Sequence, residues 1–437
     1  MRAIGAVLSA VLSLPIAATP VLALDAFPGA EGFGRVSQGG RGGAIIKVSN
    51  LNDSGRGSLR ACIDAKRPRV CVFTVGGIIR FTTAPPIIRN PYITIAGQTA
   101  PGGGILLTHN GGAQGFTPLV TKGTHDVIIR DIRVRTDKNG LNRGSNDAIT
   151  IEDSENVIVD HVSTSWALDE NINGWAANQN ITISNSIFAE GVPRHDKCAL
   201  LGGHTVGPQN LSFVKNLCAH NGDRNPDANF KPGSCINIVN NVFYNAQSQF
   251  VEIWESEGAT PVNIVNNYFK AGPNSQGDIA AIDRQTIGSV GVSKIYYSGN
   301  QLDGVFRMVS DPVLEATVKA PVCAYRTPLS AAQAYSQVLQ ESGAFPRDSF
   351  DEGIVNQVKR RTGRIIGRDA PRVLPVIASG TPYRDSDNDG MSDAWERARG
   401  LNIGRNDAWA GAGNGWTNMD LFLDYAHRQA MAGRPVQ

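Results

Sequence analysis

The segments INIVNN (236–241) and VNIVNN (262–267) are two copies of a six-residue string, and this string decides the fold of the chain. The same pattern returns as ITIAGQ (93–98), VIIRDI (127–132), VIVDHV (157–162), ITISNS (181–186), LSFVKN (211–216) and IYYSGN (295–300). Each string alternates apolar residues, many of them β-branched, as a short strand does. Successive strings begin 24 to 34 residues apart, so the chain repeats one strand at the period of a coil.

Repeats of this length predict a solenoid, because a single coil cannot bury its own apolar face and neighbouring coils must stack. The last four complete strings all end in asparagine, at Asn216, Asn241, Asn267 and Asn300. In stacked coils these side-chain amides would form a ladder. The sequence therefore predicts an all-β, single-stranded parallel β-helix with a small helical C-terminal extension.

The segments outside the strings predict how the solenoid ends are covered, since open edges must be capped. SLRACI (58–63) predicts the start of a short capping helix at the front. LSAAQAYSQVLQESGAF (329–345) and EGIVNQVKRRTG (352–363) predict two amphipathic helices that pack on the coils. The predicted division is a signal peptide over 1–23, a β-helix catalytic domain over 24–325, a helical extension over 326–370, and a linker with a calcium-binding segment over 371–437.

The first 23 residues have the pattern of a secretory signal peptide: Arg2, an apolar run, and small residues ending at Ala23. A membrane anchor is disfavoured, because Pro15 interrupts the run and its length is short for a bilayer. We therefore expect a secreted, extracellular protein. The six cysteines fit that oxidising destination. Cys62 and Cys71 are close enough to form one disulfide, and the pairing of the other four stays open.

The formal net charge of +2 excludes a bulk field that would attract nucleic acid or a membrane surface. A polyanion would have to bind at a local basic patch. Nothing in the sequence indicates an obligate partner, so we expect a monomer. Asn52, Asn180 and Asn210 begin acceptor tripeptides for N-glycosylation, which makes the chain a candidate glycoprotein if its host is eukaryotic.

The segment DSDNDGMSDAWE (385–396) has the spacing of an EF-hand calcium loop. Gly390 stands at position six, where the chain must turn sharply. The predicted ligands are Asp385, Asp387, Asp389, Met391, Asp393 and Glu396. A solvated acidic turn is the alternative, and the completeness of the match favours one structural calcium ion. A weaker second copy is predicted over 414–420.

A different group of charged residues accompanies the strings. The group consists of Asp147, Asp169, Glu170, Lys197 and Arg224, which precede or follow successive strings by comparable offsets. Stacked coils would place them on one side of the column. Acids beside a lysine and an arginine have the chemistry to bind calcium and a sugar carboxylate together, whereas any one of them alone would be an ordinary surface charge.

Several motifs in order carry a family resemblance: AFPGAEGFG (26–34), VSNLNDSGRGSLR (48–60), TIAGQTAPG (94–102), DAI (147–149) and VIVDHVSTSWALDE (157–170). The chain resembles bacterial and fungal pectate lyases of the first polysaccharide lyase family, from about Ala26 to the end of the helical segment. The resemblance implies a right-handed parallel β-helix, a catalytic Ca²⁺ held by acids, and an arginine near the proton to be removed.

The resemblance also implies roles for particular residues. Asp147 and Asp169 are similar to calcium ligands, with Glu170 as a nearby candidate. Lys197 is similar to the lysine that holds the substrate carboxylate, and Arg224 to the catalytic arginine.

The chain departs from the family pattern at two positions. Asn173 stands where the family often has a further acid, and Asn229 where it has a second arginine; Lys231 is the nearby candidate for substrate binding.

The predicted function is cleavage of α-1,4-polygalacturonate (pectate) by calcium-assisted β-elimination, which gives 4,5-unsaturated oligogalacturonides. Arginine normally stays protonated, so Lys197 is the alternative base to Arg224. A pectin lyase acting on methyl-esterified polymer would lack the acid cluster. A β-helical glycoside hydrolase would need paired carboxylates beside the bond. A non-catalytic pectin-binding β-helix would bind the polymer without shortening it.

Overall fold

A computed structural model describes residues 24–109, 115–136, 146–203, 207–275, 277–326 and 329–437. The signal peptide predicted over 1–23 lies outside the described residues. Three parallel sheets, of ten, nine and nine strands, form the body of the molecule, and most coils contribute one strand to each sheet. This architecture confirms the predicted parallel β-helix. Across the described ranges, no helix combines the length and the apolar character that a membrane span requires.

The strands are numbered in chain order. Sheet 1 contains β1 (Ala44–Val48), β2 (Arg69–Phe73), β5 (Ile93–Ala96), β8 (His125–Arg130), β11 (Glu155–Asp160), β14 (Gln179–Ser184), β17 (Asn210–Val214), β20 (Cys235–Val239), β23 (Pro261–Val265) and β26 (Lys294–Ser298). Sheet 2 contains β4 (Ile87–Ile88), β7 (Leu119–Lys122), β10 (Ile149–Glu152), β13 (Glu170–Trp175), β16 (Lys197–Gly202), β19 (Asp227–Asn229), β22 (Gln249–Trp254), β25 (Ala280–Gln285) and β28 (Arg307–Val309). Sheet 3 contains β3 (Gly77–Phe81), β6 (Ile105–His109), β9 (Ile132–Arg135), β12 (Ser163–Ser165), β15 (Ile187–Ala189), β18 (Leu217–Ala219), β21 (Val242–Tyr244), β24 (Tyr268–Lys270) and β27 (Gln301–Asp303).

The described residues also form six α-helices and a small antiparallel pair. The helices are α1 (Leu59–Asp64), α2 (Asp311–Ala316), α3 (Ala331–Glu341), α4 (Ser349–Arg360), α5 (Asp393–Ala398) and α6 (Asn418–Met431), and single 3₁₀ turns occur at Phe33–Val36 and Gly97–Thr99. The antiparallel pair is β29 (Gly411–Gly413) with β30 (Trp416–Thr417). The sequence predicted α1, α3 and α4 within a few residues, while α2, α5 and α6 were not predicted.

The predicted strings all lie in sheet 1, and they pair in one register. Their first residues are partners from coil to coil, in the order Ile93, Val127, Val157, Ile181, Leu211, Ile236, Val262 and Ile295. The inward side chains of the three sheets form one continuous apolar core from Val48 to Ala316. The period of the sequence is therefore the period of the coil, as the strings predicted.

The asparagine ladder is present, and its geometry shows how it works. The side-chain oxygen of Asn241 accepts the backbone N–H of Asn216 at 2.9 Å, and its amide nitrogen donates to the carbonyl of Phe213 at 2.9 Å. Asn267 and Asn300 repeat the arrangement on the following coils. Each buried amide thus satisfies backbone groups at a turn, where the sheet ladder is interrupted.

Helices α3 and α4 pack on the outer surface of sheet 3, against apolar side chains of β15, β18 and β21. Four buried charges meet at this contact: Arg133 and Arg135 of β9 face Asp348, which caps α4, and Asp351 of α4.

The C-terminal segment returns to the first coils. Met391, Trp395 and Phe422 share an apolar cluster with Val70 and Val72 on the outer surface of β2. The expected second calcium loop over 414–420 is wrong: this stretch forms the turn into β30 and the start of α6. Its acid, Asp420, closes a capping box with Thr417 instead.

Three disulfides join the six cysteines, as Cys62–Cys71, Cys198–Cys218 and Cys235–Cys323. The first pair is the one that the sequence favoured. The third connects β20 to the segment after α2, across a sequence separation of 88 residues.

Candidate functional site

The charged residues predicted for the site lie at the amino-terminal ends of four successive strands of sheet 2. Asp147 precedes β10 by two residues, Asp169 and Glu170 stand where β13 begins, Lys197 begins β16, and Arg224 precedes β19 by three. Neighbouring strands lie roughly 4.8 Å apart. Glu170 and Lys197 are direct register partners. The stacking therefore brings together residues that are far apart in sequence.

Three carboxylates form the acidic part of the site. Asp147 is 4% exposed and Glu170 is 1% exposed. Asp147 accepts the backbone N–H of Glu170 at 3.2 Å and the hydroxyl of Thr150 at 2.7 Å. Burial, followed by the charge of Glu170, raises the pKa of Asp147 to about 8. Burial and the charge of Asp169 raise the pKa of Glu170 to about 7, and burial raises the pKa of Asp169 to about 6. The site concentrates negative charge where water cannot solvate it.

His195 belongs to this group although it was not predicted. Its Nδ1 lies 2.9 Å from a carboxylate oxygen of Asp169. Ligand atoms of Asp169, Glu170 and His195 all lie within 4.8 Å of one another, close enough to hold one metal ion. The sequence carried one signal for it, its position two residues before Lys197.

The two cations of the site are each paired with an acid. Arg224 donates to Glu170 at 2.8 Å, and its Nε lies 3.8 Å from Asp227 and 4.0 Å from Glu252. Burial alone would lower the pKa of Arg224, but the charges of Asp227, Glu170 and Glu252 hold it above its usual value. Lys197 forms an ion pair with Asp223.

Asp227 and Glu252 form a second layer of acid beneath Arg224, and the sequence did not indicate them. They are register partners on β19 and β22. Asp227 is fully buried, and neither of its carboxylate oxygens has a hydrogen-bond partner among the described residues. Burial and the charge of Glu252 raise the pKa of Asp227 well above its usual value. Arg224 is thus the cation nearest to two crowded acids.

Lys231 is not brought to this cluster. It follows Asn229, the last residue of β19, whereas Arg224 precedes the same strand. The two basic residues therefore stand at opposite ends of β19. Asn173 lies in β13 and accepts the backbone N–H of Trp175 at 2.7 Å through its side-chain oxygen.

A row of residues crosses sheet 2 at the carboxyl ends of four strands, opposite to the ends that carry the cluster. Trp175, Gly202, Asn229 and Trp254 stand in one register row across four strands. Both tryptophans are partly exposed, whereas Gly202 and Asn229 between them are buried. Trp254 is fixed by a hydrogen bond from its indole nitrogen to the carbonyl of Ile287 at 2.7 Å.

A second acidic cluster lies at the C-terminal loop. Ligand oxygens of Asp385, Asp387 and Asp389 lie within 4.8 Å of one another, and so do those of Asp389, Glu396 and Asp407. Asp407 was not predicted. Asp393 is directed elsewhere: its carboxylate accepts the backbone N–H and the hydroxyl of Ser386, each at 2.8 Å. The side chain of Met391 is buried in the apolar cluster.

Comparison with known proteins gives one consistent family. No family model matches the chain. A protein of Aspergillus fumigatus named probable pectate lyase C is 36% identical over 436 residues, which is 95% of this chain and 98% of the relative. A probable pectate lyase C of Neosartorya fischeri is also 36% identical over 436 residues, with the same coverage. A putative pectate lyase of Arabidopsis thaliana is 33% identical over 204 residues, 43% of this chain and 47% of that protein.

The fold is similar to solved structures. The major allergen from cedar pollen has a TM-score of 0.57 at 18% identity, with 72% of this chain and 92% of that chain covered. A pectate lyase bound to hexasaccharide has a TM-score of 0.50 at 15% identity, with 74% and 99% covered. These two likenesses support the fold alone. The identity and coverage of the Aspergillus and Neosartorya relatives are high enough to show the family, and the chain belongs to the pectate lyase family.

Proposed function

We propose that the chain is a secreted pectate lyase of the first polysaccharide lyase family that cleaves α-1,4-polygalacturonate with the help of Ca²⁺. The observation that carries this proposal is the convergence of three acids with Lys197 and Arg224 on sheet 2. A non-catalytic binding surface would not need buried acids of raised pKa beside two cations. The products would be 4,5-unsaturated oligogalacturonides.

The acidic part of the site fits a calcium ion. Asp147, Asp169 and Glu170 offer carboxylate oxygens, which are the ligands that Ca²⁺ prefers. Burial is the first cause that raises the pKa values of all three acids, and a bound cation would favour their deprotonated forms. When bound, Ca²⁺ would supply positive charge beside a substrate carboxylate and help to neutralise charge that develops there.

The substrate chemistry assigns roles to the two cations. The C5 hydrogen of galacturonate is α to a carboxylate, so its removal builds negative charge on that group. Lys197 would hold the carboxylate, and Arg224 would take the C5 proton. The electron pair of the C5–H bond then forms the C4–C5 double bond as the C4–oxygen bond breaks, and the departing oxygen takes up a proton. Lys231, at the far end of β19, would bind the carboxylate of another sugar residue.

A base must lose its own proton before it can accept one, and the carboxylates around Arg224 oppose this because they raise the pKa of Arg224. A cation bound by Glu170 would compete with Arg224 for this carboxylate, whose distance from Arg224 is 2.8 Å. Losing that partner would weaken one of the interactions that favour the protonated guanidinium. Lys197 is the alternative base, since lysine shifts its pKa more readily.

The first test is ultraviolet absorbance of the purified chain with polygalacturonate, with calcium and with a chelator. Absorbance from the unsaturated product that rises only with calcium is the expected result. Activity that survives chelation and prefers methyl-esterified polymer would favour a pectin lyase. New reducing ends without absorbance would mean hydrolysis, and binding without either change would mean a non-catalytic module.

Arg224→Ala tests the assignment of the base. Loss of a general base typically costs 10²–10⁴-fold in rate, so we expect kcat to fall by about that factor while calcium binding is kept. Arg224→Lys is the matched control that keeps a positive charge. If Arg224→Ala retains a large part of the activity and Lys197→Ala does not, the base is Lys197.

A further inference from the structure

The C-terminal loop differs from an EF-hand in two respects. No helix precedes it, because residues 361–384, all of which the structure describes, form neither helix nor strand. Its clustered carboxylates also differ from the twelve-residue spacing at one position and include one acid from outside the loop. Asp393, at position nine, faces Ser386 and the arginines Arg384 and Arg397. Asp407 lies eleven residues beyond the end of the loop, and its ligand oxygen lies within 4.8 Å of those of Asp389 and Glu396.

The surroundings of Glu396 favour a cation site. It is 0% exposed, and within the described ranges neither of its carboxylate oxygens has a hydrogen-bond partner. One oxygen of Asp387 is also without a partner there. The nearby lysine, Lys47 of β1, contacts Asp385 at 2.8 Å and leaves Glu396 uncompensated. A buried carboxylate of this kind is costly unless a cation or a proton neutralises it.

We propose that Asp385, Asp387, Asp389, Glu396 and Asp407 form a calcium site that fastens the C-terminal segment to the first coil of the β-helix. Five carboxylates provide the oxygen-rich, adaptable environment that Ca²⁺ accepts and that Mg²⁺, with its strict octahedral demand, fills less readily. The site is separate from the catalytic cluster, and this inference is independent of the proposed lyase activity.

The loop sits directly on β1, which explains why occupancy would control docking. Gly390 has φ of +87°, and a β-carbon there would lie 2.6 Å from the side chain of Ile45. Lys47 donates to Asn388 at 3.0 Å. Trp409, two residues after Asp407, donates to the carbonyl of Gly43 at 2.8 Å. A calcium ion that joins Asp389, Glu396 and Asp407 would therefore hold both sides of the contact with β1 in place.

The test is calorimetric titration of calcium into the full chain, with magnesium in parallel. We expect two classes of calcium site. Asp407→Asn and Glu396→Gln should each weaken one class at least tenfold and leave the other, and Asp169→Asn should do the reverse. Asp393→Asn is the matched control in the same loop, and it should keep both classes because its carboxylate faces Ser386.

Thermal unfolding and proteolysis add readouts that do not depend on activity. Calcium should raise the unfolding midpoint of the wild type and of Asp393→Asn, but not of Asp407→Asn or Glu396→Gln. A chelator should speed protease cleavage in the wild type over 371–382. Unchanged binding in Asp407→Asn and Glu396→Gln, or an equal response to magnesium, would overturn the proposal.

The design also separates this proposal from the lyase proposal. If the catalytic cluster bound no calcium, the wild type would show a single class, and Asp407→Asn would abolish it. If Asp407→Asn failed to fold, Glu396→Gln would give the same comparison from within the loop.

Discussion

Asp147 shows how the coil sets the chemistry of one side chain. Its carboxylate is buried beside the charge of Glu170, and these two effects raise its pKa to about 8, although the hydrogen bonds that it accepts from the Thr150 hydroxyl and the Glu170 backbone N–H act in the opposite direction. The same surroundings would make it a strong calcium ligand once deprotonated. A proton and a cation therefore compete for one site.

This competition predicts how calcium demand varies with pH. Only the deprotonated acids bind Ca²⁺, and the pKa values of Asp147 and Glu170 are about 8 and about 7. As pH falls from 8 to 6, these groups take up protons, so calcium affinity should fall by roughly tenfold or more. The measurement is the calcium concentration that gives half-maximal lyase activity across this range.

Asp147→Asn is the control for that series. It removes the group with the highest pKa, so its remaining pH dependence should move to lower pH, although its calcium binding will be weaker throughout. A calcium requirement in the wild type that does not change between pH 6 and 8 would contradict the prediction.

At the residue scale the sequence predicted part of the site. Asp169, Lys197 and Arg224 were identified because their offsets from the strings are comparable and they match family motifs. Asp227 and Asp407 were not, because their roles depend on pairing that the sequence does not state. Asp227 gains its role from the register with Glu252, and Asp407 from the way the C-terminal segment turns back on the loop.

The asparagine ladder is the element that holds the turns between sheets 1 and 3 in a common register. Each ladder amide forms hydrogen bonds with backbone groups of the preceding coil. Removing one amide therefore leaves those backbone groups without these hydrogen bonds. Regularity of this kind helps to explain why the fold was predictable: on four successive coils an asparagine side chain bonds the same backbone groups.

Asn241→Ala tests this account. The change leaves the N–H of Asn216 and the carbonyl of Phe213 without partners in the interior, and each such group costs about 1–3 kcal/mol. We expect the free energy of unfolding to fall by about 3 kcal/mol in chemical denaturation. The control is Asn210→Ala. Asn210 is partly exposed at the start of β17 and donates to the side chain of Asn180 at 3.2 Å, so its loss should lower the free energy of unfolding by less than about 1 kcal/mol. Equal losses would mean that the ladder amides do not stabilise the coils.

Helices were predicted less evenly than strands. α3 and α4 were found from apolar periodicity, because one face of each packs on sheet 3. α2 has only six residues, too few to show a period. The second calcium loop predicted over 414–420 failed for another reason. Asp420 resembles a calcium ligand in the sequence, but its carboxylate caps α6 and forms an ion pair with Arg41.

At the scale of the whole molecule, the disulfides close loops of very different length. The Cys235–Cys323 disulfide closes a loop of 88 residues, whereas Cys62–Cys71 closes one of 9. Cross-linking a longer loop removes more freedom from the unfolded chain.

The two disulfides therefore predict different losses of stability. Replacing Cys235 and Cys323 by alanine should lower the free energy of unfolding by about 4.6 kcal/mol, and replacing Cys62 and Cys71 by about 2.6 kcal/mol, on the chain-entropy model. Chemical denaturation of the two double variants makes the comparison. The opposite order would show that strain or local packing outweighs loop length.

The return of the C-terminal segment to the first coils also has a consequence for biosynthesis. Gly43 and Trp409 meet although they are 366 residues apart. At translation rates of 5–20 residues per second, the second partner is made on the order of 20–70 seconds after the first. During that interval Val70 and Val72 of the newly made coil have no cover from Met391 and Phe422. A nascent chain of this protein must therefore keep an apolar strand surface shielded until its C-terminal segment has been made, which is work for a chaperone or for the translocation machinery.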